Sequence, residues 1–418
     1  MMAASRTLSS ITTSPTQPLF QCPLQWAVGF YFSFRFAITY LAFQGDPRTD
    51  TITILSCNVL LLIASAIYTF GDGDFSIRAL SANPSLRWLL AYLLLSGISL
   101  SWTAADSLSD AAGLWFGMFM ETATVFLVLW GPALAERVDA LFKGFVTGTL
   151  GVGAIAWMGP TLPDLRIGDY DFLHPNMIGM NSALAFLLAQ YLTLRQRAWR
   201  WACVALAMTL LRSISKTSII ALCIAECFYL LRETSLTTRR KVQITFAALA
   251  VFAVFASLLS SYIEDYTTIG SGTQFETLTG RTAIWATAFF IAIEKPWIGH
   301  GFYSLRALMP AFDNGNFEPW HAHNELLQEF FEYGALGIVV TVGAYRSLLY
   351  AARRVTRHAL KVLPGSQRPY NKLVFTILLF TVIHGLTESM NFGLTIPLWL
   401  FGALAIALQQ QALEVSLS

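Results

Sequence analysis

The chain has 418 residues, 55% of them hydrophobic and only 12% charged, with a formal net charge of +2. Soluble globular domains carry roughly 25% charged residues, so this composition excludes an ordinary soluble enzyme and points to an all-α polytopic membrane protein. The small net charge says little by itself; where the charges sit says more, and nothing in them calls for a nucleic-acid partner. Cys22, Cys57, Cys203, Cys223 and Cys227 lie mostly in apolar stretches without metal-ligand spacing, so they are expected to be small buried hydrophobes.

In chain order, residues 1–22 are rich in Ser, Thr and Pro without a long apolar core, and are expected to form a disordered cytoplasmic tail rather than a cleaved signal peptide. Apolar runs long enough to cross a hydrocarbon core of about 30 Å then recur. They number about twelve, near 24–44, 51–70, 86–102, 113–131, 140–158, 175–194, 199–213, 216–231, 243–262, 325–350, 372–388 and 391–409. The seventh and eighth are short enough to be read also as a re-entrant hairpin. The expected organisation is a membrane domain over 23–262 with about nine spans and a large periplasmic loop with short helices over 263–324. A second membrane portion over 325–410, with about three spans, and a cytoplasmic tail over 411–418 complete it. No fixed-period repeat is visible.

Basic residues are retained on the cytoplasmic side. Clusters at Arg195/Arg197/Arg200, Arg232/Arg239/Arg240/Lys241 and Arg353/Arg354/Arg357/Lys361/Arg368/Lys372 fall on one side when spans are counted between them. Both termini are then cytoplasmic, and the segment from about Tyr262 to Asn324 faces outward. The loops around 102–110, 159–176, 212–216 and 388–391 share that side.

That outer side holds the chemistry. Arg281, beside Gly280, is a candidate for holding a localised anion, or else a salt-bridge partner for a nearby carboxylate. His321 and His323 stand at the start of a helix, wet enough to titrate near neutrality and suited to acid–base work, or simply helix-end histidines. His-x-His also invites a zinc reading, for which Glu325 or Glu318 offers only a weak third ligand, so no metal is expected. Arg212 and Lys216 place cations near the hydrocarbon boundary, where they meet an anion or snorkel. His174-Pro175-Asn176 suits a helix start. His384 and Glu388 are expected four apart on one helix face, lining the same cavity or pairing with each other. Cations and a base at this level suit a lipid-held pyrophosphate and an incoming hydroxyl. A transporter or flippase for a lipid-linked saccharide or organic anion is the alternative, with Arg35 as a residue of its path.

His323-Asn324, nine residues, then Gly334-Ala335-Leu336-Gly337 resembles the His-Asn-x9-Gly-x-x-Gly signature of bacterial O-antigen ligases and exopolysaccharide polymerases. Gly280-Arg281 with Trp285, and Pro296-Trp297-Ile298-Gly299-His300-Gly301, are similar to two further elements of that family. The resemblance implies an inner-membrane glycosyltransferase that is metal-independent, uses no cofactor and inverts the anomeric centre. Its implied partners are an undecaprenyl pyrophosphate-linked glycan donor, an acceptor glycan or lipid A–core, and membrane lipid. It makes His323 the catalytic base and Arg281 a pyrophosphate ligand. The family's Ser-Arg element reads Ser215-Lys216 here, so the second cation is Lys216 or Arg212. Asn324, Glu325, His321, His174, Asn176, Trp285, Gly334 and Gly337 are the expected supporting residues.

Overall fold

Proline marks where many of the helices begin. A first-turn proline loses nothing, because its missing N–H would have no intrahelical partner there. The computed structural model describes residues 22–43, 47–71, 82–131, 133–162, 165–169, 173–233, 236–258, 278–312, 318–362, 369–389 and 397–417. Its helices, in chain order, are α1 (Pro23–Phe43), α2 (Pro47–Gly71), α3 (Pro84–Ser99), α4 (Leu108–Val128), α5 (Leu134–Met158), α6 (Pro175–Thr193) and α7 (Trp199–Ser213). They continue with α8 (Lys216–Arg232), α9 (Thr238–Leu258), α10 (Leu278–Ala292), α11 (Leu305–Leu308), α12 (Glu325–Val362), α13 (Pro369–Gly385) and α14 (Pro397–Leu417). Among the described residues no β-strand is present.

Small residues set how closely the helices pack. Gly144 and Gly148 lie one turn apart on α5 and meet α1, where a Cβ at Gly144 would come within 2.0 Å of the Trp26 carbonyl oxygen. Van der Waals contact of this kind drives helix association where lipid removes the hydrophobic incentive. The main core joins α1, α3, α4, α5, α6, α12, α13 and α14 through residues such as Phe32, Phe145, Leu188, Leu348, Phe380 and Trp399. A separate small core of Ile284, Ala288, Leu305, Ala322 and Phe331 lies under the segment between α10 and the start of α12.

Among the described residues, four helical segments are long and apolar enough to cross a membrane: Thr51–Gly71, Leu108–Val128, Leu134–Met158 and Glu325–Val355. Large apolar side chains such as Leu60, Ile67, Leu94, Trp201 and Phe246 are exposed on the helix surfaces, as lipid contact requires. The chain is a multi-pass membrane protein, all-helical as expected.

Three expectations change. Cys223 and Cys227 are exposed and Cys22, Cys57 and Cys203 only partly buried, so the cysteines are peripheral, because their apolar stretches turn one face outward. Arg35 is buried and paired with Glu121, which also accepts from Asn58 Nδ2 at 3.3 Å; it ties α1 to α4 and does not line an open path. Finally, α13 ends at Gly385. Glu388 therefore lies in the turn beyond the helix, and the His384 ring instead meets the Ser218 hydroxyl at 3.2 Å.

The largest departure from regular helix is in α12, at Gly334, with φ 61° and ψ −154°, a region essentially restricted to glycine. A break there leaves backbone groups without helical partners. The loop 296–301 supplies them. Pro296 and Trp297 carbonyls accept from Ala335 and Leu336 N–H at 2.7 and 3.2 Å, while His300 and Gly301 N–H donate to Phe331 and Glu332 carbonyls at 2.9 and 2.8 Å. The contact is so close that a Cβ on Gly334 would lie 2.4 Å from the Trp297 carbonyl carbon. The same loop docks on the α3–α4 turn, where Thr103 Oγ1 donates to the Phe302 carbonyl at 2.6 Å.

Candidate active site

The buried carboxylate of Glu388, in the turn after α13, gathers residues from four other parts of the chain. Arg281, in the first turns of α10, donates from Nη2 to Glu388 Oε1 at 2.7 Å and from Nη1 to the Thr387 carbonyl. His323 Nδ1 lies 3.0 Å from Glu388 Oε2, and His321 Nε2 lies 4.0 Å from the same oxygen. Asn176, at the start of α6, donates its Nδ2 to Glu388 Oε1 at 3.3 Å. Arg166 in turn donates to Asn176 Oδ1, and its Nε reaches the Ser213 carbonyl at 2.8 Å.

Local sequence explains each placement. His174 caps α6, its Nδ1 accepting the Asn176 N–H at 3.3 Å, with Pro175 as the first helical residue. Asn324 begins α12: its Oδ1 accepts the Leu327 N–H at 3.0 Å and its Nδ2 donates to the Leu386 carbonyl at 3.0 Å. The turn holding the histidines is pinned by Gln328, which accepts the Ala322 N–H at 2.8 Å. His323 sits at φ 48°, a left-handed conformation that costs a non-glycine residue energy and recurs at functional sites.

The electrostatics of the cluster favour an ionised Glu388. Burial alone pushes the Glu388 carboxyl up, but the His323 hydrogen bond and the charges of His323, His321 and Arg281 outweigh it and hold the group well below the usual carboxylate range. Burial, then the neighbouring His323, brings the His321 imidazole down to about 3. His174 is lowered too, by burial and then by Arg166. An ionised Glu388 can only accept, so His323 Nδ1 donates to it; in the neutral tautomer so fixed, Nε2 is the acceptor.

Of the cations expected beside Arg281, Lys216 is exposed at the first position of α8. Its neighbour Thr217 bonds the Thr387 hydroxyl at 2.9 Å, which places α8's first turn against the residue that holds Arg281. Arg212 instead bonds the Leu165 carbonyl and secures the loop that carries Arg166. Trp285 follows Arg281 by one helical turn, its Nε1 buried without a hydrogen-bond partner. Glu325 is buried and meets Ser389 Oγ at 3.4 Å. The carboxylate of Glu388 contacts the His323 ring. Gly334 and Gly337 belong to the break in α12: a Cβ at Gly337 would come 2.8 Å from the Glu329 carbonyl oxygen.

Sequence reasoning missed Arg166 and misplaced Glu388. The clue to Arg166 was a lone arginine in the same outer loop as His174-Pro175-Asn176; the clue to Glu388 was its position at the end of an outward span.

Residues 201–342 match the O-antigen ligase family. The chain is also 24% identical over 333 residues, 74% of its length and 73% of the relative's, to the exopolysaccharide production protein ExoQ of Rhizobium meliloti (strain 1021). Both likenesses point to the O-antigen ligase/polymerase family. That likeness suggests a glycosyltransferase-like enzyme of polysaccharide synthesis and implies a lipid-linked glycan substrate in a membrane setting. The family match spans α8, Arg281 and the His323–Gly337 stretch, while Glu388, His174 and Arg166 lie outside it.

The ligand atoms of His321, His323 and Glu388 lie within 4.8 Å of one another, a separation that a metal ion could bridge. Arg281 on the same carboxylate opposes a cation there: it already neutralises Glu388, and adding a divalent ion would set like charges side by side.

Proposed function

We propose that this protein transfers a glycan from undecaprenyl pyrophosphate to an acceptor sugar hydroxyl at the periplasmic face of the bacterial inner membrane. Both termini lie in the cytoplasm, and the shorter apolar helices cross the bilayer with the four long ones. The observation that carries the reading is the shared carboxylate: Glu388 contacts the base His323 at 3.0 Å through one oxygen and the cation Arg281 at 2.7 Å through the other. A base and an anion-binding cation are thereby held side by side, as a displacement from a pyrophosphate leaving group needs.

In this reaction the acceptor oxygen bonds to the anomeric carbon while the bond from that carbon to the pyrophosphate oxygen breaks. The electron pair departs on undecaprenyl pyrophosphate, and the hydroxyl proton passes to His323 Nε2. One displacement inverts the anomeric centre. Glu388 stabilises the imidazolium that forms. Arg281 and Lys216 stabilise the charge developing on the leaving group, with Arg212 and Arg166 holding the loops around them. In other enzymes a single such contact is worth on the order of 3–4 kcal/mol, and a general base about a hundred- to ten-thousand-fold in rate. No step requires a metal.

The likeness to an exopolysaccharide production protein favours a second lipid-linked repeat unit as acceptor over lipid A–core. Arg35, on which a transport reading leans, is paired with Glu121, so that reading loses its residue.

The test is the purified chain in lipid, given undecaprenyl pyrophosphate-glycan with either acceptor. The expected result is free undecaprenyl pyrophosphate and an extended lipid-linked glycan, lost in His323→Ala and Arg281→Ala at normal membrane levels. Unchanged donor with both acceptors sinks the proposal. Chelation with EDTA is expected to leave the rate unchanged; inhibition reversed by added zinc or manganese would make His321, His323 and Glu388 a metal centre instead.

A further inference from the structure

A lateral groove of about 760 Å3 lies between the N-terminus of α3, the second half of α12 and the C-terminal half of α14, far from His323. Its volume is within the range of roughly 300–1,000 Å3 typical of ligand sites.

The groove changes character along α12. Ile338, Val339 and Val342 line it nearest the break, Leu408 of α14 adds to its apolar lining, and Trp88 of α3 walls it. Trp88 is seated against Gly343, where a Cβ would come 2.6 Å from its ring. Further along, Arg346, Tyr350 and Arg354 follow at intervals of four residues, on one stripe of the helix and all exposed. No acidic residue is among those lining the groove. The N-terminus of α3 opens at the same groove and adds the positive end of a helix dipole.

We propose that this groove binds an anionic glycerophospholipid, its acyl chain along Val339, Val342 and Leu408 and its phosphate at Arg346 and Arg354. An apolar slot ending in two arginines matches a molecule with a hydrocarbon tail and a negative head, and basic pockets between spans on the cytoplasmic side recognise such head groups. Arg354 lies twenty residues beyond Gly334, or about 30 Å of helix, the thickness of a hydrocarbon core. Because α12 starts at the catalytic turn, the basic end of the groove meets the opposite leaflet. The site is therefore separate from the donor site and does not rest on the reaction proposed above.

The experiment uses the purified full-length chain in neutral detergent, titrated with phosphatidylglycerol or phosphatidylcholine of the same acyl composition, with bound lipid counted by native mass spectrometry. Phosphatidylglycerol is expected to bind at least tenfold more tightly. R346Q/R354Q is expected to lose that preference, whereas R353Q, which removes a charge from the same helix outside the groove, keeps it. Equal affinity for the two lipids, or equal preference in R346Q/R354Q and R353Q, overturns the proposal. A second measurement needs no charge variant: phosphatidylglycerol with brominated acyl chains should quench more fluorescence in the wild type than in W88F. Equal quenching in the two proteins also overturns it.

Discussion

At the scale of single residues, the proposed reaction turns on His323 and Glu388, 3.0 Å apart although 65 positions separate them. Replacing Glu388 with Gln keeps a side chain of the same shape but removes the charge that fixes the Nδ1 proton. The expected outcome is a fall in kcat on the order of a hundredfold with little change in KM, read in the lipid assay at equal membrane levels. Asn324→Ala removes the cap of α12, and is expected to cost about 1 kcal/mol in stability with a much smaller loss of rate. Equal rate losses in the two variants would overturn Glu388 as the residue that orients His323.

The same cluster sets a pH dependence. His321 has a folded-state pKa near 3, against an ordinary value of 6.5, so the unfolded chain binds its proton first. Its contribution to stability is complete above about pH 6.5 and declines as pH falls toward 3. Glu388 is also depressed below the carboxylate range, so its contribution is likewise present at neutral pH and lost on acidification. Melting temperature is therefore expected to drop between pH 7 and pH 4, and to drop less steeply in His321→Gln. Parallel curves for the two proteins would rule His321 out as a source of the slope.

At the scale of elements, the break in α12 converts two sequence motifs into one structural joint. The loop 296–301 docks on the break by exchanging four backbone hydrogen bonds, which holds the catalytic end of the helix at a fixed angle to its membrane-crossing part. Gly334→Ala forces a Cβ into the Trp297 backbone in a conformation reserved for glycine. Strain of this kind costs about 1–3 kcal/mol before the steric clash is added. The variant is expected to melt lower and accumulate poorly, while Leu336→Ala, at an exposed neighbour, shifts stability by roughly 0.5 kcal/mol or less. A Gly334→Ala protein as stable as the wild type would mean that the joint is not rigid.

At the scale of the whole molecule, the arrangement of helices delivers six separate segments to one cluster and leaves a lipid-sized groove at the far end of α12. The orientation is checked by reporter fusions. Alkaline phosphatase joined after Pro310 is expected to be active, and a fluorescent protein at the C-terminus to fluoresce. The reverse pattern would put the site on the cytoplasmic side and remove the periplasmic reaction.

Composition alone determined that the chain is helical and membrane-embedded, because a charge content of 12% and repeated apolar runs leave no other way to satisfy the backbone in lipid. Local patterns also made Arg281, His323 and the Gly334 motif legible, since each carries its chemistry in its own side chain or in the lack of one. Only the tertiary structure decided which carboxylate meets His323. Glu388, Asn176 and Arg166 meet across separations of up to 212 positions, and no local rule ties a turn after α13 to a helix start at α6. The partners of Arg212 and Asn324 were decided in the same way, as the backbone carbonyls of Leu165 and Leu386. A carbonyl partner leaves no trace in residue identity, because every residue offers one.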